Sequence, residues 1–251
     1  MGCKESKDFR PGLIEGVKPD KINIIGFCLN ADSRALQLYC DISHLDYNYI
    51  EINMLKGGHK TEEFKKAHPS MHMPILQDGV QSVYGSTLIQ MMHMANRYQT
   101  KPDADRLHMI NNIQKLNSLF AVFDQKVRPV TQRVRNMLIA KRLHLPNQPS
   151  AQQIDREKDE LQNRILPMLN NALEGKRYFC GDQITGYDLQ VYCEIQSMLV
   201  FAEELFATEL QKQNNITEWM RRIDIIPEVA DNQRNFKRLA IDMLDQGIAT
   251  A

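Results

Sequence analysis

This sequence is short of everything that would tie it to a nucleic acid, a bilayer or a disulfide scaffold. Its 31 Lys and Arg are balanced by 31 Asp and Glu, so there is no basic excess to hold a phosphate backbone. Aromatics are 7% of the residues, with a single Trp, which leaves little material for stacking bases. No apolar run approaches the roughly 18–20 residues that a membrane-spanning helix needs. The five cysteines, Cys3, Cys28, Cys40, Cys180 and Cys193, are odd in number and far apart. They make neither a metal-ligand pattern nor a disulfide framework, so no metal is expected and a reducing, cytoplasmic setting is the simplest reading.

What is present begins with "MGCKES". Gly2 and Ser6 fit the M-G-x-x-x-[ST] pattern of N-myristoylation, and Cys3 stands where a second, reversible acyl chain would go. One myristoyl chain holds a membrane only weakly, so an anchor at the cytoplasmic face needs both Gly2 and Cys3. Residues 1–20, with Pro11 and Pro19, are expected to be a flexible leader.

Residues 21–98 mix two periods. "INIIGF" reads as a strand, "SRALQLYCDISH" as a helix and "DYNYIEIN", alternating with period two, as a strand. "TEEFKKAHP" is a short helix ending before Pro69. "MPILQDGVQSVYG" is a hairpin turning at Asp78-Gly79, and "STLIQMMHMANRY" is a helix opened by Ser86. Residues 103–246 read as helices alone, from Asp103 to near Arg142, Ala151 to Glu174, Thr185 to near Phe206, Ile216 to Ile223 and Glu228 to Leu244. The loops between them hold Pro, Gly and Asn. The expectation is α/β plus all-α: a small β-α-β-α-β-β-α domain followed by a helical one.

Two stretches carry identity. In "MHMPILQDG" a Pro opens a strand inside a compact domain, where it cannot donate to the ladder. A cis Met73–Pro74 bond would leave the Met73 backbone groups free to pair with a bound peptide. In "ITGYDL", Thr185 and Asp188 make a capping-box pattern, with Ile184 and Leu189 at the staple positions. Together they resemble the cytosolic glutathione transferase superfamily, which joins a thioredoxin-like domain to an all-helical one whose sixth helix begins with such a box. The "INMLKGGH…HPSMHMPILQDG" run is most similar to the theta class.

That resemblance implies glutathione as co-substrate, small hydrophobic electrophiles as second substrates and a homodimer. It implies that Met73 and Pro74 take the cysteinyl backbone of glutathione, that Ser86 and the following helix take the glutamyl carboxylate, and that His59 and His72 approach the glycyl end. His108 and the stretch Leu116 to Phe123 would line the electrophile pocket. Two positions depart from the theta pattern. Gly85 stands where an acid or amide usually holds the glutamyl ammonium, and a second acid, near Asn111 or Asn112, is missing. Asn30, in "NADSR", stands where the pattern S-x-P-[CS]-R has its catalytic Ser. An amide also donates hydrogen bonds, and a helix beginning at Ala31 would add its dipole, so Asn30 is expected to stabilise the thiolate. Cys28, two residues out of register, is a weaker nucleophile candidate, and Ser33 a weaker thiolate contact. Arg34 is expected to pack between the domains. Two further readings stand beside the transferase: a non-catalytic binding or structural subunit, tethered to a membrane if acylated, and a glutathione-dependent disulfide reductase or peroxidase.

Overall fold

The computed structural model describes residues 14–54, 56–68, 71–79, 81–83, 85–98, 113–142 and 148–249. Gly2, Cys3, His108, Asn111 and Asn112 lie outside them.

Four strands form one sheet in the order β2-β1-β3-β4, with β1 Ile22–Gly26, β2 Tyr47–Glu51, β3 Ile75–Asp78 and β4 Gln81–Val83. β1 is parallel to β2 and antiparallel to β3, and β3 is antiparallel to β4. β1 is central and buried at every position, as a strand covered on both faces must be. One face is covered by α1 (Ala31–Ile42) and α3 (Thr87–Tyr98), which share a cluster of Ile24, Leu36, Tyr39, Leu76, Met91 and Met94. On the other face, Ile25 and Ile75 pack with Phe64 of α2 (Glu62–Ala67), Phe27 and Met73. Ile14 joins that second cluster, and the Lys18 amide donates to Asn23 Oδ1 at 2.8 Å. The end of the expected leader is therefore packed against the sheet from Ile14 onward.

The helical domain runs through α4 (Ile113–Val122), α5 (Arg128–Arg142), α6 (Ala151–Glu160), α7 (Leu166–Ala172), α8 (Gly186–Gln211), α9 (Asn214–Asp224) and α10 (Pro227–Ala249). Single π-helical turns, Phe123–Val127 and Leu161–Ile165, join α4 to α5 and α6 to α7 without a break. With each joined pair taken as one helix, α8 is the sixth α-helix among the described residues. It is longer than its apolar pattern suggests, running on to Gln211.

The start of α8 organises this domain. Asp188, with no exposed surface, accepts four hydrogen bonds: from the Thr185 amide (2.9 Å), the Thr185 hydroxyl (2.6 Å), the Phe179 amide (3.0 Å) and Trp219 Nε1 (3.0 Å). Burial holds its carboxyl above the ordinary carboxylate range against the opposing pull of its four donors. Ile184 and Leu189 are both buried in the main core, the arrangement a hydrophobic staple produces. Phe179, Tyr187 and Trp219 add edge-to-face ring contacts at 5.0 and 5.3 Å. Removing the carboxylate would strand its donors in a site closed to solvent. We expect Asp188→Ala to lose roughly 3 kcal/mol or more of unfolding free energy, read from the urea midpoint, with Asp188→Asn losing less because one acceptor oxygen remains. An unchanged midpoint in the Ala variant would contradict this role.

Candidate functional site

The domains meet along α1, and the meeting is charged. Arg128, at the start of α5, makes a two-pronged pair with Asp32, its Nη2 donating at 2.8 Å and its Nη1 bonded to the other oxygen. Gln190 of α8 donates to Asp32 Oδ1 at 2.5 Å. Asp124, one helical turn before Arg128, lies 3.0 Å from Arg128 Nε. These three charges form one wall of a cavity of about 280 Å3, whose remaining wall is His72, Met73, Pro74, Gly85, Ser86 and Thr87.

Two buried contacts shape the remaining wall. The Met73–Pro74 bond is cis, as the sequence leads one to expect. Gln90 on α3, 1% exposed, donates to Pro74 O at 2.8 Å and to Gly85 O at 3.3 Å. One amide thus ties the cis-proline loop to the entry of α3. Ser86 immediately precedes α3, and its carbonyl accepts from the Gln90 amide at 3.1 Å. The first amides of a twelve-residue helix therefore open onto the cavity, a favourable place for a carboxylate.

Gly85 has φ +134°, and a Cβ built there would stand 2.8 Å from the end of the Ile89 side chain. An L-residue is disfavoured there by both backbone and space, and the acid of the theta pattern would require Ile89 to shift. The cavity carries carboxylates on its opposite side instead, at Asp32 and Asp124. The Asp124 carboxyl is held above the ordinary range by burial, with Arg128 pulling it down and Asp32 pushing it up. Two carboxylates against one guanidinium leave this wall with a net negative charge, which suits a substrate cation.

Asn30 lies at the edge of the arrangement, outside the cavity wall. It is the N-cap of α1, and its Oδ1 accepts from the Ser33 amide at 2.8 Å and the Ser33 hydroxyl at 3.2 Å. Its Nδ2 has no partner among the described residues, so the donor half of the amide remains free. Ser33 is fully buried and accepts from the Phe27 amide at 3.2 Å, which removes it from contact with any ligand. His72 is exposed and lines the cavity, whereas His59, in the 3-10 turn Gly58–Lys60, does not.

The surroundings of Cys28 disfavour a thiolate. Burial, together with Glu51, whose carboxylate accepts from the Cys28 amide at 3.1 and 3.2 Å, pushes the thiol up to about 12. In the stretch Leu116 to Phe123 one face turns inward, while Ala121 and Val122 are exposed. Leu116, Phe120 and Phe123 are buried in the core, the two Phe rings against Tyr187. The same helix reaches the cavity one turn later, through Asp124 and Arg128.

A sheet of this order with a cis-proline at the head of β3, followed by a helical bundle, defines a thioredoxin-like domain joined to an all-α domain. Residues 26–102 match the family model "Glutathione S-transferase, N-terminal domain" and residues 135–226 match "Glutathione S-transferase, C-terminal domain". The chain belongs to the cytosolic glutathione transferase superfamily. It is 22% identical over 203 residues to glutathione S-transferase T2 of Arabidopsis thaliana, covering 80% of this chain and 34% of that protein, so it spans about a third of that relative. It is 22% identical to glutathione S-transferase T1 of the same plant, covering 80% and 82%. The solved structure of human glutathione transferase theta-2, in complex with glutathione, superposes with a TM-score of 0.78 at 17% identity, over 92% of this chain and 91% of that one.

A thiol at about 12 is thiolate in only roughly one molecule in 10^5 at pH 7. Iodoacetamide at neutral pH is expected to leave Cys28 unmodified in the native protein and to alkylate it after unfolding in urea, as mapped by mass spectrometry. Rapid labelling of the native protein would contradict this environment.

Proposed function

We propose that this chain is a theta-like glutathione transferase, adding the thiol of glutathione to small hydrophobic electrophiles, with no resident cofactor. The observation that carries the reading is the convergence of Met73, Pro74, Ser86 and His72 on one small cavity in a chain of this superfamily. The cysteinyl backbone would pair with Met73, and the glutamyl carboxylate would rest on Ser86 and the first amides of α3. The glutamyl ammonium, on the same carbon as that carboxylate, would face Asp124 and Asp32 across the cavity in place of the acid that Gly85 lacks. Asn30 Nδ2 would donate to the thiolate at the N-terminus of α1. The sulfur lone pair then forms the carbon–sulfur bond, while the electrophile's leaving group departs with its bonding pair. Ile89, 49% exposed on α3, supports packing of the small domain on a second copy of the chain.

Glutathione binding tests the site. By calorimetry, Ser86→Ala is expected to weaken binding by about tenfold, the worth of one hydrogen bond to a charged group. Asp124 is 44% exposed on its side chain, so solvent screening reduces its share, and Asp124→Asn is expected to cost about three- to tenfold. That loss should vanish for a glutathione analogue lacking the α-amino group. Equal losses for both ligands would remove Asp124 from ammonium recognition, and the absence of glutathione binding at millimolar concentration would remove the reading itself.

Asn30 is tested by conjugation rates at several pH values. Asn30→Ala removes both cap and donor. It should lower kcat/KM about tenfold or more and raise the apparent pKa of the bound thiol, whereas Asn30→Ser restores both. A rate and pH profile unchanged in Asn30→Ala would reduce Asn30 to a helix cap. The second reading, a non-catalytic glutathione-binding or structural subunit, is favoured by the position of Asn30 outside the cavity wall. Binding without turnover of any electrophile or glutathione-linked disulfide would establish it.

A further inference from the structure

In the small domain, the proposed glutathione cavity is built from two stretches on either side of the β3–β4 hairpin. Met73 and Pro74 lead into β3, and Gly85 and Ser86 follow β4 and open α3. The last rung between the two strands joins Leu76 to Val83. Both stretches therefore lie beyond the strand pairing, where the ladder no longer sets their separation.

Gln90 sets it instead. It does not line the cavity; it stands one turn into α3, 1% exposed, on the face that carries Leu88, Met91 and Met94. From there a single nitrogen, Nε2, donates to Pro74 O at 2.8 Å and to Gly85 O at 3.3 Å. Two carbonyls can face only the NH2 end of an amide, so the orientation of the side chain is fixed. Oε1 is left buried with no partner among the described residues. A buried, unpaired acceptor is destabilising, and an apolar side chain here would avoid it, so packing alone does not account for an amide at this position. The contact to Gly85 also has a direction. Gly85 O and the Ser86 N–H belong to one planar trans peptide. Holding that carbonyl from the core side turns the Ser86 N–H away from the core.

We propose that Gln90 is a positioning residue for glutathione, an inference that rests on the reading of this cavity as the glutathione site. Gln90 touches no part of the tripeptide. It fixes the distance between Met73, where the cysteinyl backbone pairs, and Ser86 with the first amides of α3, where the glutamyl carboxylate rests. With the distance set in advance, the second contact forms at the high effective concentration that a matched spacing gives. A γ-glutamyl link spans that distance, and a link one methylene shorter satisfies one end at a time.

The test is calorimetry on the full chain with two tripeptides, glutathione and β-aspartylcysteinylglycine, whose link between the α-carboxylate and the cysteinyl unit is one methylene shorter. The wild type should bind the shorter tripeptide about tenfold more weakly. Gln90→Met keeps the length and helix propensity of the side chain and removes the donor. It should weaken glutathione about tenfold, leave the shorter tripeptide within about twofold of its wild-type affinity, and so erase the preference. In that variant Ser86→Ala should cost less than about threefold in glutathione affinity, against about tenfold in the wild type, because the two contacts no longer reinforce each other. Equal binding of the two tripeptides by the wild type, an equal loss of both in Gln90→Met, or an undiminished effect of Ser86→Ala in that variant would each overturn the proposal. The first of these needs no variant to fold, and all three leave glutathione bound in its cavity. A wild type that binds no glutathione would instead remove the reading of the cavity itself, and this inference with it.

Discussion

The arrangement of this protein depends on one buried carboxylate. Asp188 gathers four donors from three separate segments: the turn before α8, the loop at Phe179 and the indole of α9. That convergence fixes where α8 begins and how it is rotated. Rotation matters because α8 carries the groups that dock α1. Gln190, two residues on and so facing nearly the opposite way, reaches Asp32, and one turn later the Cys193 carbonyl meets Arg34. The capping contact at the head of α8 therefore sets the position of the helix that presents Asn30. In this fold a helix-start motif in one domain is part of the geometry of a site on the other.

Much of the architecture was legible because it rests on local signals. Period-two and period-3.6 patterns placed the strands and helices, Asp78-Gly79 gave the hairpin turn and Met73–Pro74 gave a strand opened by proline. The site was legible only on its N-terminal side, where Met73, Pro74 and Ser86 sit close together in the chain. Asp32, Asp124 and Arg128 escaped notice because their meaning is tertiary. Each looks like an ordinary charge on a solvated helix face, and their partners lie 96 and 158 residues away. Asp32 did carry one signal, since it occupies the proline position of the S-x-P-[CS]-R pattern. Gln90 carried another, as an amide beside Leu88, Met91 and Met94 on the buried face of α3. Leu116, Phe120 and Phe123 lie in the core, because an apolar stripe is drawn there first, and the polar residues after them, Asp124 and Arg128, face the cavity.

Gly85 and Asp32 belong to one account. With glycine at position 85 the entry of α3 offers no side-chain partner to an ammonium, and the backbone there, at φ +134° with Ile89 close by, disfavours one. A carboxylate appears instead on the other side of the same cavity, at a position where proline would have offered none. Asp32 comes with Arg128 and Gln190, so it is half neutralised and held in place, while Asp124 is more open. In the function proposed above, a cavity of about 280 Å3 would place opposite walls within reach of one amino-acid moiety.

Asn30 shows how the same economy works at one residue. A serine at a helix N-cap uses a single oxygen both to accept from the helix and to donate its proton outward, so the two roles share one position. An asparagine divides them: Oδ1 is committed to Ser33, and Nδ2, on the other arm of the amide, is left to donate. The cap therefore orients the donor, because rotating the amide to aim Nδ2 elsewhere would break the bond to the Ser33 amide. That coupling makes the direction of the free N–H a property of α1 itself. It also explains why the helix dipole and the amide would act on a thiolate together, since both are fixed by the same first turn.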